Sequence, residues 1–381
     1  MNDVFITATA AALPNAPVGN AAIEAVLGRI GGQSSRARSI VLRKNGIKSR
    51  HYAIDPATGL PTHSNASLTA EAVRALGASG FDIGNIRCLV TGTSMPDQTM
   101  PGHGPMVHGE LGNPACEVVT TAGICLSGLA ALKYAWLAVR TGDAENAVAT
   151  GSELPSAVLR AAHFEAENAA RVAALAACPR LAFEKDFLRW MLSDGAGAFL
   201  VEPRPRAGQV NLRIDWMELS SEAYRLPVCM YAGGERAPDG TLTGWARFPS
   251  RMWAEKSLFS IRQDVKLLDR HVVEATLETP LRKIMARRGL KAEDIGWFLP
   301  HMSSYYFRQL IADALARIGL PIPDERWFTN LAARGNTGAA SMYIMLDELR
   351  QNGRLATGAR VLCFVPESGR FSSGFMMLTA V

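Results

Sequence analysis

The stretch that decides the fold is EVVTTAGICLSGLAALKYAWLAVRTGDAENAVATGSE (residues 117–153). It predicts a strand, a turn, an apolar helix that ends at a glycine, and a second strand. The stretch RGNTGAASMYIMLDELRQNGRLATGARVLCFVPES (residues 334–368) has the same order of elements. Asn336 of the second stretch follows Cys125 of the first by 211 residues, and the two helix-ending glycines are the same distance apart. This shared spacing indicates a duplicated unit.

Shorter apolar runs alternate with helical periodicity through the rest of the chain. Strand-like examples are IRCLVTG (86–92), GAFLVE (197–202) and GWFLPH (296–301). Strands separated by helices predict βαβ units and a largely parallel sheet that helices cover on both faces. We therefore predict an α/β protein made of two duplicated halves, residues 1–205 and residues 206–381.

The composition argues against several classes of protein. The 381 residues are 48% hydrophobic and 20% charged, which is typical of a globular enzyme and not of a disordered or fibrous chain. No run approaches the roughly 18 apolar residues of a membrane span, and the amino terminus lacks the basic start of a signal peptide. We therefore expect a cytoplasmic protein. The net charge of +5 is spread along the chain, unlike the basic stripe of a nucleic-acid-binding protein.

The six cysteines are scattered and include no C-x-x-C pair, which argues against a disulfide framework and against a zinc site. Only Cys125 has a position that suggests reactivity, because it lies between a predicted strand and the amino end of an apolar helix. The helix dipole and the free N–H groups at that end favour a thiolate. We therefore expect a nucleophile with a lowered pKa. A buried structural cysteine is the alternative.

His301 and Asn336 are the other candidates for the site. His301 directly follows an apolar run, at the end of a strand where open α/β sheets bind ligands. Asn336 lies among small residues that allow close approach. Taken alone, His301 can also be a hydrogen-bonded core residue and Asn336 a turn or helix-capping residue. The duplication, however, predicts that the helices beginning near Cys125 and Asn336 face each other. A thiolate facing two hydrogen-bond donors can transfer acyl groups through a thioester.

At these residues the sequence resembles the β-ketoacyl-acyl-carrier-protein synthase III group of the thiolase superfamily, and the resemblance covers essentially the whole chain. Seven motifs carry it in order: NGIKSRHY (45–52), TSMPDQTMPGHGPMVHGELG (93–112), GICLSG (123–128), SDGAGA (193–198), LPH (299–301), GNTGAAS (335–341) and ESGRFSSGF (367–375). The resemblance implies a thiolase-like layered αβαβα fold. Three segments, residues 45–52, 183–198 and 366–375, resemble most the ketosynthases of dialkylresorcinol, stilbene-type and aryl-polyene-associated biosynthesis.

The resemblance also implies an acyltransferase that forms a carbon–carbon bond. Cys125 would take an acyl group from a coenzyme A or acyl-carrier-protein thioester, and the backbone N–H groups of Cys125 and Ser373 would form the oxyanion hole. His301 and Asn336 would stabilise the enolate of a malonyl or β-ketoacyl thioester, which attacks the acyl-cysteine in a Claisen condensation. This chemistry, of fatty-acid or polyketide type, needs no metal or redox cofactor. The family further implies a homodimer with the 93–112 loop at its interface.

Four further residues are expected to bind substrate. Arg43, Lys44 and Arg50 precede or occupy the NGIKSRHY motif, where the family contacts the phosphates of coenzyme A. Cationic side chains suit phosphates, and a solvated helix face is the alternative. Phe187 is a candidate for the wall of an acyl tunnel, although ordinary core packing explains it equally well.

Two other functions stay open at this point. A cysteine-dependent thioester hydrolase would use Cys125 and His301, but it would need a route for water to the acyl-enzyme. The apolar helix that follows Cys125 disfavours such a route. A non-catalytic partner subunit of a ketosynthase generally lacks the nucleophile, which this chain retains.

Overall fold

The computed structural model describes residues 3–35, 38–165 and 188–381. Its strands are β1 (Phe5–Ala12), β2 (Val18–Gly19), β3 (Ser49–Arg50), β4 (Cys88–Thr93), β5 (Glu117–Ala122), β6 (Ala147–Glu153), β7 (Gly195–Glu202), β8 (Leu212–Ser221), β9 (Met230–Tyr231), β10 (Gly234–Arg236), β11 (Leu242–Gly244), β12 (Arg262–Gln263), β13 (Trp297–Pro300), β14 (Arg360–Glu367) and β15 (Ser372–Ala380).

The α-helices of the described residues are α1 (Ile23–Leu27), α2 (Arg38–Asn45), α3 (Asn65–Ala75), α4 (His103–Leu111), α5 (Leu126–Thr141), α6 (Ser156–Leu159), α7 (Arg251–Glu255), α8 (Val265–Val273), α9 (Thr279–Arg288), α10 (Tyr306–Arg317), α11 (Leu331–Arg334) and α12 (Ser341–Gln351). A π-helical turn, Glu274–Glu278, joins α8 to α9. Short 3-10 turns lie at Ile30–Gly32, Leu76–Ser79, Ile83–Asn85, Ala161–Phe164, Trp245–Arg247, Ala292–Asp294, Asp324–Arg326 and Gly338–Ala340. Among these helices none is long and apolar enough to cross a membrane.

Nine of the described strands form one sheet in the order β13-β14-β15-β8-β1-β7-β6-β4-β5. On one side β4 is parallel to β5 and β6, and β6, β7 and β1 are antiparallel in succession. On the other side β13 is parallel to β14, and β14, β15 and β8 are antiparallel in succession. In this second set, a single parallel bridge between Phe298 of β13 and Trp327 takes the position that β5 has beside β4 in the first set. The two sets of strands meet at only two residue pairs, between β1 and β8.

Helices α5 and α12 lie between the two sets of strands. α5 contacts β4, β5 and β6 of one set and β8, β14 and β15 of the other, while α12 contacts β1, β7 and β13. The outer face of the first set is covered by α3 and α4, and that of the second set by α8 to α10. The layers therefore run helix, sheet, helix, sheet, helix, which is the αβαβα order expected from the sequence.

The central position of α5 explains its sequence. Its residues LSGLAALKYAWLAVRT are apolar around most of the helix because strands cover more than one of its faces. The helix ends at Gly142, whose left-handed backbone (φ 83°) suits glycine and whose N–H bonds to the carbonyl oxygens of Ala138 and Val139. The sequence alone predicted both the apolar helix and the glycine at which it ends.

Two glycines let the central layer approach the sheet closely. A Cβ atom added at Gly128 of α5, or at Gly151 of β6, would lie 2.3 Å from the carbonyl oxygen of Ala339. The hydroxyl of Tyr343 on α12 also donates to the carbonyl oxygen of Gly128 at 2.8 Å. The start of α5, the end of β6 and the turn before α12 therefore meet at Ala339.

We expect Gly151→Ala to lower the free energy of unfolding by about 1–3 kcal/mol, because a backbone oxygen cannot rotate away from the added methyl group. Gly109→Ala is the matched control, since a Cβ atom at that position on α4 meets nothing within 4 Å. Urea unfolding followed by circular dichroism measures both variants. Equal stability of the two would contradict the close approach at Ala339.

Candidate active site

Polar side chains lie at the carboxyl ends of five parallel strands. Ser94 follows β4 and Glu153 ends β6, while Cys125 follows β5 after a short turn. In the other set of strands, His301 follows β13 and Glu367 ends β14. The carboxyl ends of parallel strands are where open α/β sheets bind ligands. The fold therefore brings polar and titratable side chains from both halves of the chain to the same region.

These strand ends open into a cavity of about 920 Å³, counting its open mouth. Cys125, His301 and Asn336 all line this cavity. Most of the other lining residues are apolar, among them Met95, Met191, Met230, Leu268, Met302 and Phe307. The three side chains that the sequence singled out, far apart along the chain, therefore share one apolar space.

Cys125 occupies the residue before the first turn of α5. The neighbouring N–H groups of Ile124 and Leu126 donate to Oε2 of Glu367, at 2.9 and 3.2 Å. Burial, followed by the carboxylates of Glu153 and Glu367, raises the pKa of the Cys125 thiol well above its ordinary value. The lowered pKa expected from the sequence is therefore wrong, because desolvation and two nearby carboxylates outweigh the helix dipole.

His301 is held at the cavity by the sheet. Its backbone N–H donates to the carbonyl oxygen of Phe364 at 2.8 Å, which continues the pairing of β13 with β14. The residue is 2% exposed, and its Nδ1 is buried without a hydrogen-bond partner in the described residues. Burial lowers the pKa of His301 to about 4. The ring is therefore neutral at physiological pH and can donate one N–H.

Asn336 is fixed by its own turn. Its Oδ1 accepts the backbone N–H of Gly338 at 3.0 Å, its backbone N–H donates to Met191, and its carbonyl oxygen accepts the N–H of Ser193. The turn role considered from the sequence is thus compatible with a place in the cavity wall. Because Oδ1 is engaged, the Nδ2 group is the end of the amide that can donate to a ligand.

Glu153 is a carboxylate in the cavity wall that the sequence interpretation missed. It is 5% exposed, and its Oε1 accepts the N–H groups of Ser94 and Ala339 at 3.2 and 3.3 Å, while Oε2 accepts the Ser94 hydroxyl. Burial raises the pKa of Glu153 to about 7. A signal was present, because the run AVATGSE ends in an acidic residue at the carboxyl end of a strand.

The structure does not bring Ser373 to the cavity. Ser373 lies within β15, where it pairs with Ser220 of β8 on one side and with Pro366 of β14 on the other. Its hydroxyl lies 3.2 Å from that of Ser220. Among the residues that shortly precede Ser373 in the chain, Pro366 and Ser368 line the cavity. The oxyanion role expected for Ser373 is therefore corrected, because neighbouring strands enclose the residue on both sides.

The candidates for phosphate binding have different surroundings. Arg43 and Lys44 lie in the last turn of α2 and are exposed. Arg50 is fully buried, and its guanidinium donates to Oδ1 of Asn20 and to the carbonyl oxygen of Trp190. Because these acceptors enclose it, Arg50 cannot reach a phosphate at the surface. Its expected binding role is corrected to a structural one.

Two further expectations concern the acyl tunnel and metals. Phe187, expected in the tunnel wall, lies outside the described residues, although the next residue, Leu188, lines the cavity. Within residues 3–35, 38–165 and 188–381, no group of three or more His, Cys, Asp or Glu side chains could hold a metal ion.

Two family models match the chain. The model described as beta-ketoacyl synthase, N-terminal domain, matches residues 93–207, which include Cys125. The model described as 3-oxoacyl-[acyl-carrier-protein] synthase III C terminal matches residues 285–377, which include His301 and Asn336. The chain is also similar to the beta-ketoacyl-[acyl-carrier-protein] synthase III of Sphingopyxis alaskensis, with 26% identity over 94% of this chain and 93% of that protein.

Solved structures of condensing enzymes share the fold. The chain is similar to AbyA1, a tetronic acid condensing enzyme, with a TM-score of 0.76, 22% identity and 99% of each chain covered. It is also similar to OleA of Xanthomonas campestris, solved with lauric acid and lauroyl-CoA, with a TM-score of 0.72, 17% identity and 99% of each chain covered. The thiolase-like layered fold expected from the sequence is confirmed.

Proposed function

Since this chain is a β-ketoacyl-acyl-carrier-protein synthase III-like condensing enzyme of the thiolase superfamily, we propose that Cys125, His301 and Asn336 are its catalytic residues. The enzyme is an acyltransferase that forms a carbon–carbon bond by Claisen condensation in fatty-acid or polyketide-type biosynthesis. One observation carries the assignment of residues: the three side chains line a single apolar cavity. Such a cavity accommodates an acyl chain with a thioester at its polar end.

In the first half-reaction the Cys125 sulfur attacks the carbonyl carbon of an acyl-coenzyme A or acyl-carrier-protein thioester. The N–H of Cys125 holds the oxyanion, and we assign the second donor to the backbone at residues 368–369, of which Ser368 lines the cavity, in place of Ser373. A Cβ atom at Gly369 would lie 2.7 Å from Cδ1 of Ile124, so the Gly369 backbone passes beside the turn that carries Cys125. Each such donor contributes about 2.7–4 kcal/mol to transition-state stabilisation.

In the second half-reaction a malonyl or β-ketoacyl thioester enters the cavity. Its carbonyl oxygen lies between Nε2–H of His301 and Nδ2–H of Asn336, which stabilise the enolate that attacks the acyl-cysteine. The neutral state of His301 suits this role, because a neutral ring donates one hydrogen bond without adding a second charge to a buried site. A malonyl thioester forms the enolate by losing carbon dioxide, and a β-ketoacyl thioester by losing a proton.

Product analysis tests this function. Purified enzyme is incubated with octanoyl-CoA and, in parallel reactions, with malonyl- or β-ketoacyl-carrier protein, and the products are measured by mass spectrometry. We expect a product in which the acyl chain is joined to the second thioester through a new carbon–carbon bond. With octanoyl-CoA alone we expect the acyl-enzyme and at most one equivalent of released coenzyme A.

The same reactions test the hydrolase alternative. Release of octanoic acid with turnover, and without a condensation product, would identify a thioester hydrolase and contradict the proposal. The apolar helix α5 that follows Cys125 supports condensation, because on that side of the acyl-enzyme it offers water no chain of polar groups.

The proposal extends to substrate carriers and to a second copy of the chain. Exposed Arg43 and Lys44 are proposed to bind the phosphates of coenzyme A or of the phosphopantetheine arm. A homodimer is supported by β5, which among the described strands pairs only with β4 and lies at the edge of the sheet, where exposed Tyr134 of α5 donates a hydrogen bond to Glu117. The 93–112 segment, which the structure shows to contain α4 and which precedes β5, would lie at this interface.

The remaining expectations stay predictions. The division into halves 1–205 and 206–381 is supported by the repeated strand directions on either side of the junction between β1 and β8. Chemistry without a metal or redox cofactor, a cytoplasmic location, and kinship with the dialkylresorcinol, stilbene-type or aryl-polyene-associated ketosynthases also belong to this proposal.

A further inference from the structure

Glu153 is the one carboxylate on the cavity wall formed by the described residues. We propose that Glu153 is a further catalytic residue, which accepts the proton of the Cys125 thiol during acyl transfer and returns it to the departing thiol. This inference rests on the proposed function, because it concerns the step that forms the acyl-cysteine.

The fold holds Glu153 and Cys125 at the same junction. Cys125 lies one helical turn before Gly128, and Glu153 lies two residues after Gly151. Both glycines pack against the carbonyl oxygen of Ala339. The N–H of Ala339 in turn donates to Glu153. The carboxylate is therefore anchored to the point where the start of the Cys125 helix, strand β6 and the Asn336 turn meet.

The site needs a proton acceptor because the thiol does not ionise easily. Burial, Glu153 and Glu367 all raise the pKa of Cys125. Glu367 accepts the N–H groups of Ile124 and Leu126 through one carboxylate oxygen and is not among the cavity-lining residues. Glu153 does line the cavity, so it is the carboxylate that can exchange a proton with the reacting groups.

Glu153 is also a stronger base than His301 in this environment. The pKa of Glu153 is raised to about 7, and the pKa of His301 is lowered to about 4, both by burial. Burial therefore makes the Glu153 carboxylate the better proton acceptor of the two groups. Transfer of the proton to Glu153 also keeps the summed charge of the two groups at −1. Transfer to His301 would instead create two new buried charges.

The proposed step balances in protons and electron pairs. Glu153 removes the proton from Sγ of Cys125 as that sulfur forms a bond to the thioester carbonyl carbon. When the tetrahedral intermediate collapses, the bond between this carbon and the sulfur of coenzyme A or phosphopantetheine breaks. The departing sulfur takes the proton from Glu153, which is again a carboxylate. No oxidant or reductant takes part.

The pH dependence follows from the groups that surround Glu153. Cys125 lies at the start of α5, where Glu367 from the end of β14 accepts two N–H groups. His301 follows β13 and lines the same cavity, and Asp194, in the segment before β7, raises the pKa of Glu153. The base form of Glu153 is its carboxylate, which predominates above a pH of about 7. The rate of Cys125 acylation is therefore expected to rise with pH and to level off above about pH 7.

Acylation of the full-length enzyme by octanoyl-CoA, followed by intact-protein mass spectrometry from pH 5.5 to 9, tests the proposal. Glu153→Gln keeps the shape of the side chain and an oxygen acceptor for the two N–H groups. We expect it to slow acylation about 100-fold at pH 7.5. We also expect it to remove the break in the pH profile, which is the pH near 7 at which the acylation rate stops rising. Ser94→Ala removes one donor to the carboxylate and is expected to move the break to higher pH. Exposed Glu145→Gln is the control and is expected to match the wild type.

Three outcomes would overturn the proposal. The first is acylation of the Glu153→Gln enzyme at the wild-type rate and with the wild-type pH profile. The second is uniform slowing at every pH with the break retained, which marks a structural role. The third is a break that stays in place in Ser94→Ala.

Alkylation of Cys125 by iodoacetamide over the same pH range distinguishes a failure of the proposed condensing function from a failure of the role proposed for Glu153. If the wild-type enzyme takes up no acyl group, but the pH profile of its alkylation has a break that Glu153→Gln removes, the proposed function fails, while proton transfer from Cys125 to Glu153 stands. If acylation proceeds and neither reaction responds to Glu153→Gln, the assignment of Glu153 fails and the proposed function stands.

Discussion

Cys125→Ala is expected to abolish covalent acylation of the enzyme and, with it, carbon–carbon bond formation. Cys125 is the one cysteine among the described residues that lines the cavity. Removing a nucleophile that acts together with other catalytic groups costs on the order of 10⁶-fold in turnover. Intact-protein mass spectrometry after incubation with octanoyl-CoA measures the acyl adduct directly, and product analysis measures the condensation.

Cys116→Ala is the matched control for this experiment. Cys116 is partly buried, as Cys125 is, but it lies just before β5 and is not on the cavity wall. We expect the control to take up one acyl group, as the wild type does. Peptide mapping that finds the acyl group on another cysteine of the Cys125→Ala enzyme would contradict the assignment of the nucleophile.

Asn336→Ala is expected to leave acylation of Cys125 in place and to lower condensation about 10²- to 10³-fold, the usual cost of one donor to a developing oxyanion. The reason is geometric, because Oδ1 of Asn336 is engaged by Gly338 and only the amide nitrogen is left to donate to the second thioester. Two separate readouts are required, the mass of the acyl-enzyme and the yield of the condensation product.

Asn336→Asp separates the donor from the turn. An aspartate keeps the oxygen that accepts the Gly338 N–H and therefore keeps the turn, but it lacks the N–H donor. We expect this variant to lose condensation as Asn336→Ala does. Loss of both half-reactions to the same extent in Asn336→Ala, together with normal activity of Asn336→Asp, would assign Asn336 a purely structural role.

The local pattern was sufficient to predict the elements that carry these residues. The strand, turn and apolar helix around Cys125 repeat around Asn336, and each helix needs the same apolar surface because both lie between layers of strands. The end of α5 at Gly142 could also be predicted, because a helix commonly ends at a residue with a left-handed backbone and glycine adopts that conformation readily. The resemblance of seven motifs extended this to the thiolase-like fold and to a condensing enzyme, and the comparisons confirm both.

The surroundings of individual side chains could not be predicted in this way. Arg50 lies two residues after exposed Lys48 in a basic segment, yet its guanidinium is enclosed by Asn20 and Trp190. Ser373 belongs to the ESGRFSSGF motif (367–375), yet the residue lies inside the sheet. In both cases the neighbours that decide exposure come from other segments of the chain.

The electrostatics of the site show the same dependence on tertiary contacts. Sequence position places Cys125 at a helix amino terminus, and from that position a low thiol pKa follows. The folded chain brings Glu153 from the end of β6 and Glu367 from the end of β14 to the same place and removes water, so the pKa moves in the opposite direction.

The amino-acid sequence by itself determined the order of strands and helices, the α/β class and the family, because periodicity and turn residues act over a few neighbouring positions. Only the tertiary structure decided which polar groups share the cavity, which arginine is buried, and which carboxylate stands beside the nucleophile. The physical reason is that burial and charge–charge interaction depend on distance in space, and the folded layers bring together groups that lie far apart along the chain.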